Sequence, residues 1–103
     1  MSKPGVKIKL DKQRNLRYPI SALLECEEYF GVPYTQFKPQ EWKLKDMMFL
    51  LAIGLREEDP DLTVEKVAEL VDEAESLEYV FNKIAEAWAL AFVGKKGTEL
   101  QST

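Results

Sequence analysis

Glu41-Trp42-Lys43-Leu44-Lys45-Asp46-Met47-Met48-Phe49-Leu50-Leu51-Ala52-Ile53-Gly54-Leu55-Arg56 is the stretch whose reading decides the fold. Leu44, Met47, Met48, Leu51 and Leu55 recur at i, i+3, i+4, i+7 and i+11, the spacing of one helical face. Phe49, Leu50 and Ile53 put apolar side chains on the other faces. A helix that is apolar nearly all round is either central to its domain or covered by a partner. The spacing therefore predicts a helix over 41–56 that carries the core. Glycine inside a helix costs up to about 1 kcal/mol against alanine, so Gly54 predicts close packing at that point.

On the N-terminal side, Val6, Ile8 and Leu10 alternate with Lys7 and Lys9, the period of a strand with one buried face. Asp11 to Asn15 is polar and turn-like, Leu16-Arg17-Tyr18 resumes the alternation, and Pro19 closes it. Residues 6–18 read as a β-hairpin. A first helix follows over 21–30, with Ser21 as its expected N-cap and Gly31 then Pro33 as its stop. The segment from Val32 to Glu41 holds Pro33 and Pro39 and is too proline-rich for an α-helix.

On the C-terminal side, Glu57 to Asp61 breaks the chain before a helix over 64–74, capped by Thr63 and stapled by Leu62 and Val67. Ser76 is the expected cap of a last helix over 77–93, with the stripe Leu77, Val80, Phe81, Ile84, Trp88, Ala91 and Phe92 and with Gly94 as its stop. The order is α+β, mainly α: an N-terminal hairpin and four helices on one core. Residues 1–94 read as a single domain and 95–103 as a flexible tail.

The chain is 103 residues long, one domain's worth, and Leu, Ile, Val and Phe supply 29 of them, enough for one modest core. It has no histidine and one cysteine, Cys26. Disulfide frameworks, Cys/His zinc sites and His-based triads are excluded on that ground. No run of 18 apolar residues exists, and the N-terminus does not read as a signal peptide, so the chain reads as soluble and intracellular. The formal net charge is −4, unevenly spread: residues 1–19 set six cations (Lys3, Lys7, Lys9, Lys12, Arg14, Arg17) against Asp11. A basic arm on an acidic body could grip phosphate, but lysines on an edge strand also keep strangers from pairing with it. Nothing Arg-rich or aromatic-interleaved accompanies the arm, so a nucleic-acid partner is not expected.

Motifs that would carry chemistry fail on their spacing. Asp59, Asp61, Thr63 and Glu65 alternate like the first ligands of an EF-hand, but Val64 stands where glycine is required and Leu70 where the bidentate Glu belongs. Glu27/Glu28 and Glu57/Glu58 are adjacent and do not face each other on a helix. Cys26 lies among Glu25, Glu27 and Glu28, which disfavour a thiolate, and reads as a small packing residue. Gly94-Lys95-Lys96-Gly97 closes a helix where a P-loop opens one. No catalytic residue, metal ligand or cofactor is expected, and the chain reads as a binding or assembly protein.

The order of the pieces resembles a family. The hairpin 7–18 leads into Ile20-Ser21-Ala22-Leu23-Leu24-Glu25-Cys26-Glu27. Then come Met48-Phe49-Leu50-Leu51-Ala52-Ile53-Gly54-Leu55-Arg56, the acidic turn Glu57-Glu58-Asp59-Pro60-Asp61-Leu62-Thr63 and Val64-Glu65-Lys66-Val67-Ala68-Glu69-Leu70-Val71-Asp72. Ile84-Ala85-Glu86-Ala87-Trp88 lies in the closing helix. This is similar to the tail assembly chaperones of long-tailed phages and prophages and to related gene-transfer-agent tail proteins, over about residues 6–93. The resemblance implies a chaperone that binds the long, hydrophobic tape measure protein while the tail tube polymerises, with the tail tube protein as a second contact. It implies self-association, action in the host cytoplasm and absence from the finished virion. It also implies a longer frameshifted product, joined near Lys95–Lys96. Two other readings stand beside it: a nucleic-acid-binding or regulatory phage module using the basic hairpin, and a minor structural virion protein.

Tyr34, Phe37 and Trp42 lie in the segment held extended by Pro33 and Pro39. Such rings either fold back as a lid on the core or face outward as binding anchors. In the outward reading, Tyr34, Phe37, Trp42, Phe49, Leu50 and Ile53 form one partner-binding surface.

Overall fold

The computed structural model describes residues 5–92. Strands β1 (Val6–Lys9) and β2 (Gln13–Leu16) pair antiparallel, with Val6 opposite Leu16 and Ile8 opposite Arg14. Four helices follow: α1 (Ile20–Phe30), α2 (Leu44–Gly54), α3 (Val64–Val71) and α4 (Leu77–Phe92). The architecture is α+β and mainly α, as the sequence predicts. Gly94 as a helix stop, the expected tail 95–103 and the Lys95–Lys96 junction lie outside the described residues.

α2 is the centre. Met47, Met48, Leu50, Leu51, Ala52 and Ile53 are all buried, and α1, α3 and α4 each pack against it. An all-round apolar helix needs cover on every side, and Val67 and Leu70 of α3 with Val80, Ile84 and Ala87 of α4 belong to the same core. From the hairpin, Ile8, Leu10, Leu16 and Tyr18 join it.

Gly54 is where the hairpin meets α2. A Cβ there would lie 2.5 Å from Leu16 Cδ1 and 2.9 Å from Tyr18 Cζ. The Arg17 amide donates to Gly54 O at 2.9 Å, and the Tyr18 hydroxyl donates to Leu50 O at 2.9 Å. Polar groups taken out of water need such partners, and here the hairpin's exit and the last turn of α2 supply them to each other.

Several boundaries differ from the sequence reading. The second strand starts at Gln13 and ends at Leu16, so the turn is shorter than Asp11–Asn15, and the Arg17 amide leaves the ladder for Gly54. α1 begins at Ile20 with Pro19 as N-cap, and the Ala22 and Leu23 amides donate to Pro19 O; Ser21 therefore sits inside the helix and does not cap it. α2 starts at Leu44 and not at Glu41, because Pro39–Glu41 forms a separate 3-10 turn and Asp46 accepts from the Lys43 amide at 2.8 Å. A second 3-10 turn spans Tyr34–Gln36, so the proline-rich segment is not α-helical but is locally wound. α3 ends at Val71 and runs on to Ala74 through i to i−3 bonds.

Other expectations hold at the level of single bonds. Gly31 takes φ 72°, the left-handed conformation that glycine adopts without strain, and its amide donates to Glu27 O. Thr63 Oγ1 accepts from the Lys66 amide at 3.1 Å, and Ser76 Oγ from the Tyr79 amide at 3.0 Å.

Leu51 is fully buried at the middle of α2, so Leu51→Ala should lower the unfolding free energy by about 2–5 kcal/mol. Gly54→Ala should destabilise by about 1–3 kcal/mol despite alanine's better helix propensity, since the added methyl has no room. Chemical denaturation of the two variants checks both, and a Gly54→Ala protein as stable as wild type would mean that the hairpin does not pack on α2 in this way.

Candidate partner surface

The predicted anchor residues divide into two groups. Leu50 is 0% and Ile53 is 3% exposed. They face the core formed with the other elements, so neither belongs to an accessible surface. Phe49 is half-buried, with its ring stacked on Tyr29 at 3.9 Å between centroids.

Phe37 and Trp42 fold back as a lid. Both are half-buried, and each packs on Trp88 of α4 at 5.6 Å. Phe30 of α1 stacks on Trp42 at 5.8 Å and tilts against Phe37 at 5.3 Å. Edge-to-face and offset pairs at these distances are favourable beyond the area they bury. Trp88 is the hub, since Tyr18 also meets its ring at 5.2 Å and 75°. A hollow of about 550 Å³ opens beside this lid and is lined by Phe30, Phe37 and Trp42 together with polar Thr35, Gln36, Lys38, Glu41 and Asp46. Asp46 is engaged, accepting from the Tyr29 hydroxyl and the Lys43 amide.

Tyr34 is the predicted residue that does remain outside. It is 53% exposed, and its ring stacks on Phe92 at 5.5 Å and 11°. The pair walls a groove of about 400 Å³ between α1 and the end of α4, lined by Ile20, Leu23, Leu24, Glu27, Tyr34, Ala91 and Phe92. Ile20 is 71% and Leu24 61% exposed, the two most open large apolar side chains among the described residues. A smaller cleft of about 230 Å³ shares Ile20 and Ala91 with the groove and continues it toward Tyr18, Ala87 and Leu90. Ile20 and Leu24 escape a search for apolar runs because they are one helical turn apart on the face of α1 opposite Ala22 and Cys26. The signal was there: that turn of α1 is apolar on both faces.

The two arginines of the basic arm are tied down. Arg14 lies on the inner face of β2, opposite Ile8, and is buried. It donates from Nε to Asp11 Oδ1 at 2.8 Å and from Nη2 to Asp11 Oδ2 at 3.0 Å, and its Nη1 is 3.9 Å from Asp59 Oδ2. Arg17 pairs with Glu57 at 2.5 Å, and the Asn15 amide donates to Glu58 Oε1 at 3.1 Å. The acidic turn thus clamps the hairpin. Lys7, Lys9 and Lys12 are exposed.

Two titratable groups are shifted by their surroundings, one at the surface and one in the core. The Arg14 guanidinium, by its hydrogen bonds above all, lowers the Asp11 carboxyl from 3.8 to about 2. Burial, with a smaller push from Glu25, raises the Cys26 thiol to about 12. A thiol so placed is neither a nucleophile nor a metal ligand at neutral pH. No group of three or more carboxylates and thiols close enough to hold a metal occurs among the described residues. Likewise, no helix there is long and apolar enough to cross a membrane.

No family model matches the chain, and no curated protein or solved structure is significantly similar to it.

Asp11's depressed pKa means that its stabilisation is complete above pH 3.8 and is lost as pH falls through about 2. Asp11→Asn should therefore melt below wild type at neutral pH, with the gap closing below about pH 2; a gap that persists there would mean that the carboxylate charge is not what Arg14 needs. Cys26 in the native chain should react with a thiol reagent only as fast as the protein unfolds. Rapid labelling under native conditions would contradict its burial.

Proposed function

We propose that this protein is a tail assembly chaperone of a long-tailed phage or prophage, a binding protein and not an enzyme. It holds apolar helical segments of the tape measure protein in solution while the tail tube polymerises, with the tail tube protein as a second contact. It works in the host cytoplasm and leaves before the virion is complete. The reading starts from the resemblance of residues 6–93 to that family, and the observation that supports it is the groove between α1 and α4. Ile20 and Leu24 stand open one turn apart beside a hollow, and contiguous exposed apolar surface is a common mark of an interaction site. A groove of this form fits the apolar stripe of a helix, read as anchors one turn apart. The role needs no cofactor and no titrating group.

Co-expression tests it. The wild-type chain should bring the tape measure protein of its own gene cluster into the soluble fraction. Ile20→Asp combined with Leu24→Asp should lose that effect while the melting temperature of the purified chain stays within about 2 °C of wild type, since exposed substitutions are close to neutral for stability. Soluble tape measure protein with the double variant would exclude this groove as the holding surface. Recovery of the chain from purified virions would instead make it a structural component.

A further inference from the structure

We infer that the helix seated in the α1–α4 groove carries Lys or Arg beside its apolar stripe, held by Glu27 and Glu28 of α1. The inference rests on the reading of that groove as the partner surface and adds the partner's charge. α1 holds three carboxylates, Glu25, Glu27 and Glu28, and no lysine or arginine. Glu25 is taken up by Arg56. Glu27 is the one charged residue that lines the groove, and its Oε2 accepts from the Tyr34 amide at 2.9 Å, which fixes the carboxylate at the rim. Glu28 is exposed and stands one turn beyond Leu24 on the same face.

Both acids lie in the last turn of α1, where the helix dipole already presents its negative end and where no basic residue offsets it. A cation brought there meets two carboxylates and the negative end of the dipole at once. A second copy that docked its own α1 in the groove would bring the same acidic turn, and like charges across such an interface oppose that pairing. An apolar stripe with basic flanks satisfies both the groove and its rim.

The probes are two synthetic helical peptides with the same Leu/Ala stripe, one flanked by lysines and one by glutamates, titrated against the full chain by fluorescence anisotropy. At low salt the Lys-flanked peptide should bind about five-fold tighter or more, the scale of two partly exposed charge pairs. The preference should collapse at about 0.5 M salt, where such charges are screened within a few ångströms. It should also collapse in Glu27→Gln combined with Glu28→Gln, which keeps an acceptor for the Tyr34 amide; the melting temperature confirms that this variant is folded. Equal binding of both peptides, abolished by Leu24→Asp, would overturn the acidic rim and leave the groove as a partner site. Lys-peptide binding that survives Leu24→Asp would be diffuse attraction to an acidic protein and would overturn the inference. If neither peptide binds and the wild type sediments as a dimer that Leu24→Asp dissolves, the occupant is a second copy, and the partner reading falls with the inference.

Discussion

The backbone of Gly54 touches the hairpin directly, and the rest of the fold is arranged around that contact. Because no side chain intervenes, the Arg17 amide reaches Gly54 O and the Tyr18 hydroxyl reaches Leu50 O, each at 2.9 Å. Leu16 and Tyr18 occupy the space that a Cβ would take. This closeness ends strand pairing at Leu16, since the next amide is spent on α2. It also sets where Pro19 lies, and Pro19 is the N-cap of α1. α1 starts from that cap, with Ile20 and Leu24 on its outward face.

A second consequence runs through Tyr18 to Trp88. The edge of the Tyr18 ring on Trp88 ties the hairpin to α4, and Trp88 in turn receives Phe37 and Trp42 from the segment between α1 and α2. A domain of this length has little core to spare, so Phe37 and Trp42 are drawn inward onto Trp88. Tyr34, nearer the start of the segment, stops at the edge and lies against Phe92. The lid thereby closes one side of the molecule and walls the groove on another. Its construction separates rings packed into the fold, Phe37 and Trp42, from Tyr34, which stays exposed.

Much of this was legible in the sequence, and what was not has physical reasons. The all-round apolar pattern of 44–55 offered two outcomes, central helix or partner-covered helix, and local sequence cannot say which; α1, α3 and α4 make it central, which is why Leu50 and Ile53 are core and not surface. Gly54, Gly31, Thr63 and Ser76 were readable because each answers a local need: close approach, a left-handed turn, or a free amide at a helix start. Ser21 misled because the carbonyl of Pro19 accepts the first helical bonds two residues earlier. Arg14 was missed on the inner face of β2 because an arginine there is acceptable only with partners, and one of them, Asp59, lies far along the chain. The candidate groove was the least legible part. Ile20, Leu24, Tyr34 and Phe92 come from three elements, and only the folded chain, with Tyr34 stacked on Phe92, brings them together.

The account holds that a rigid core presents a preformed apolar groove, and a methyl-resolved NMR titration with a helical tape measure segment tests it most directly. Ile20, Leu23 and Leu24 methyl signals should move with the added segment, while those of Leu50, Leu51 and Ile53 stay in place. Shifts centred on the hairpin, on Leu44 or on Val64, with Ile20 and Leu24 unmoved, would contradict it.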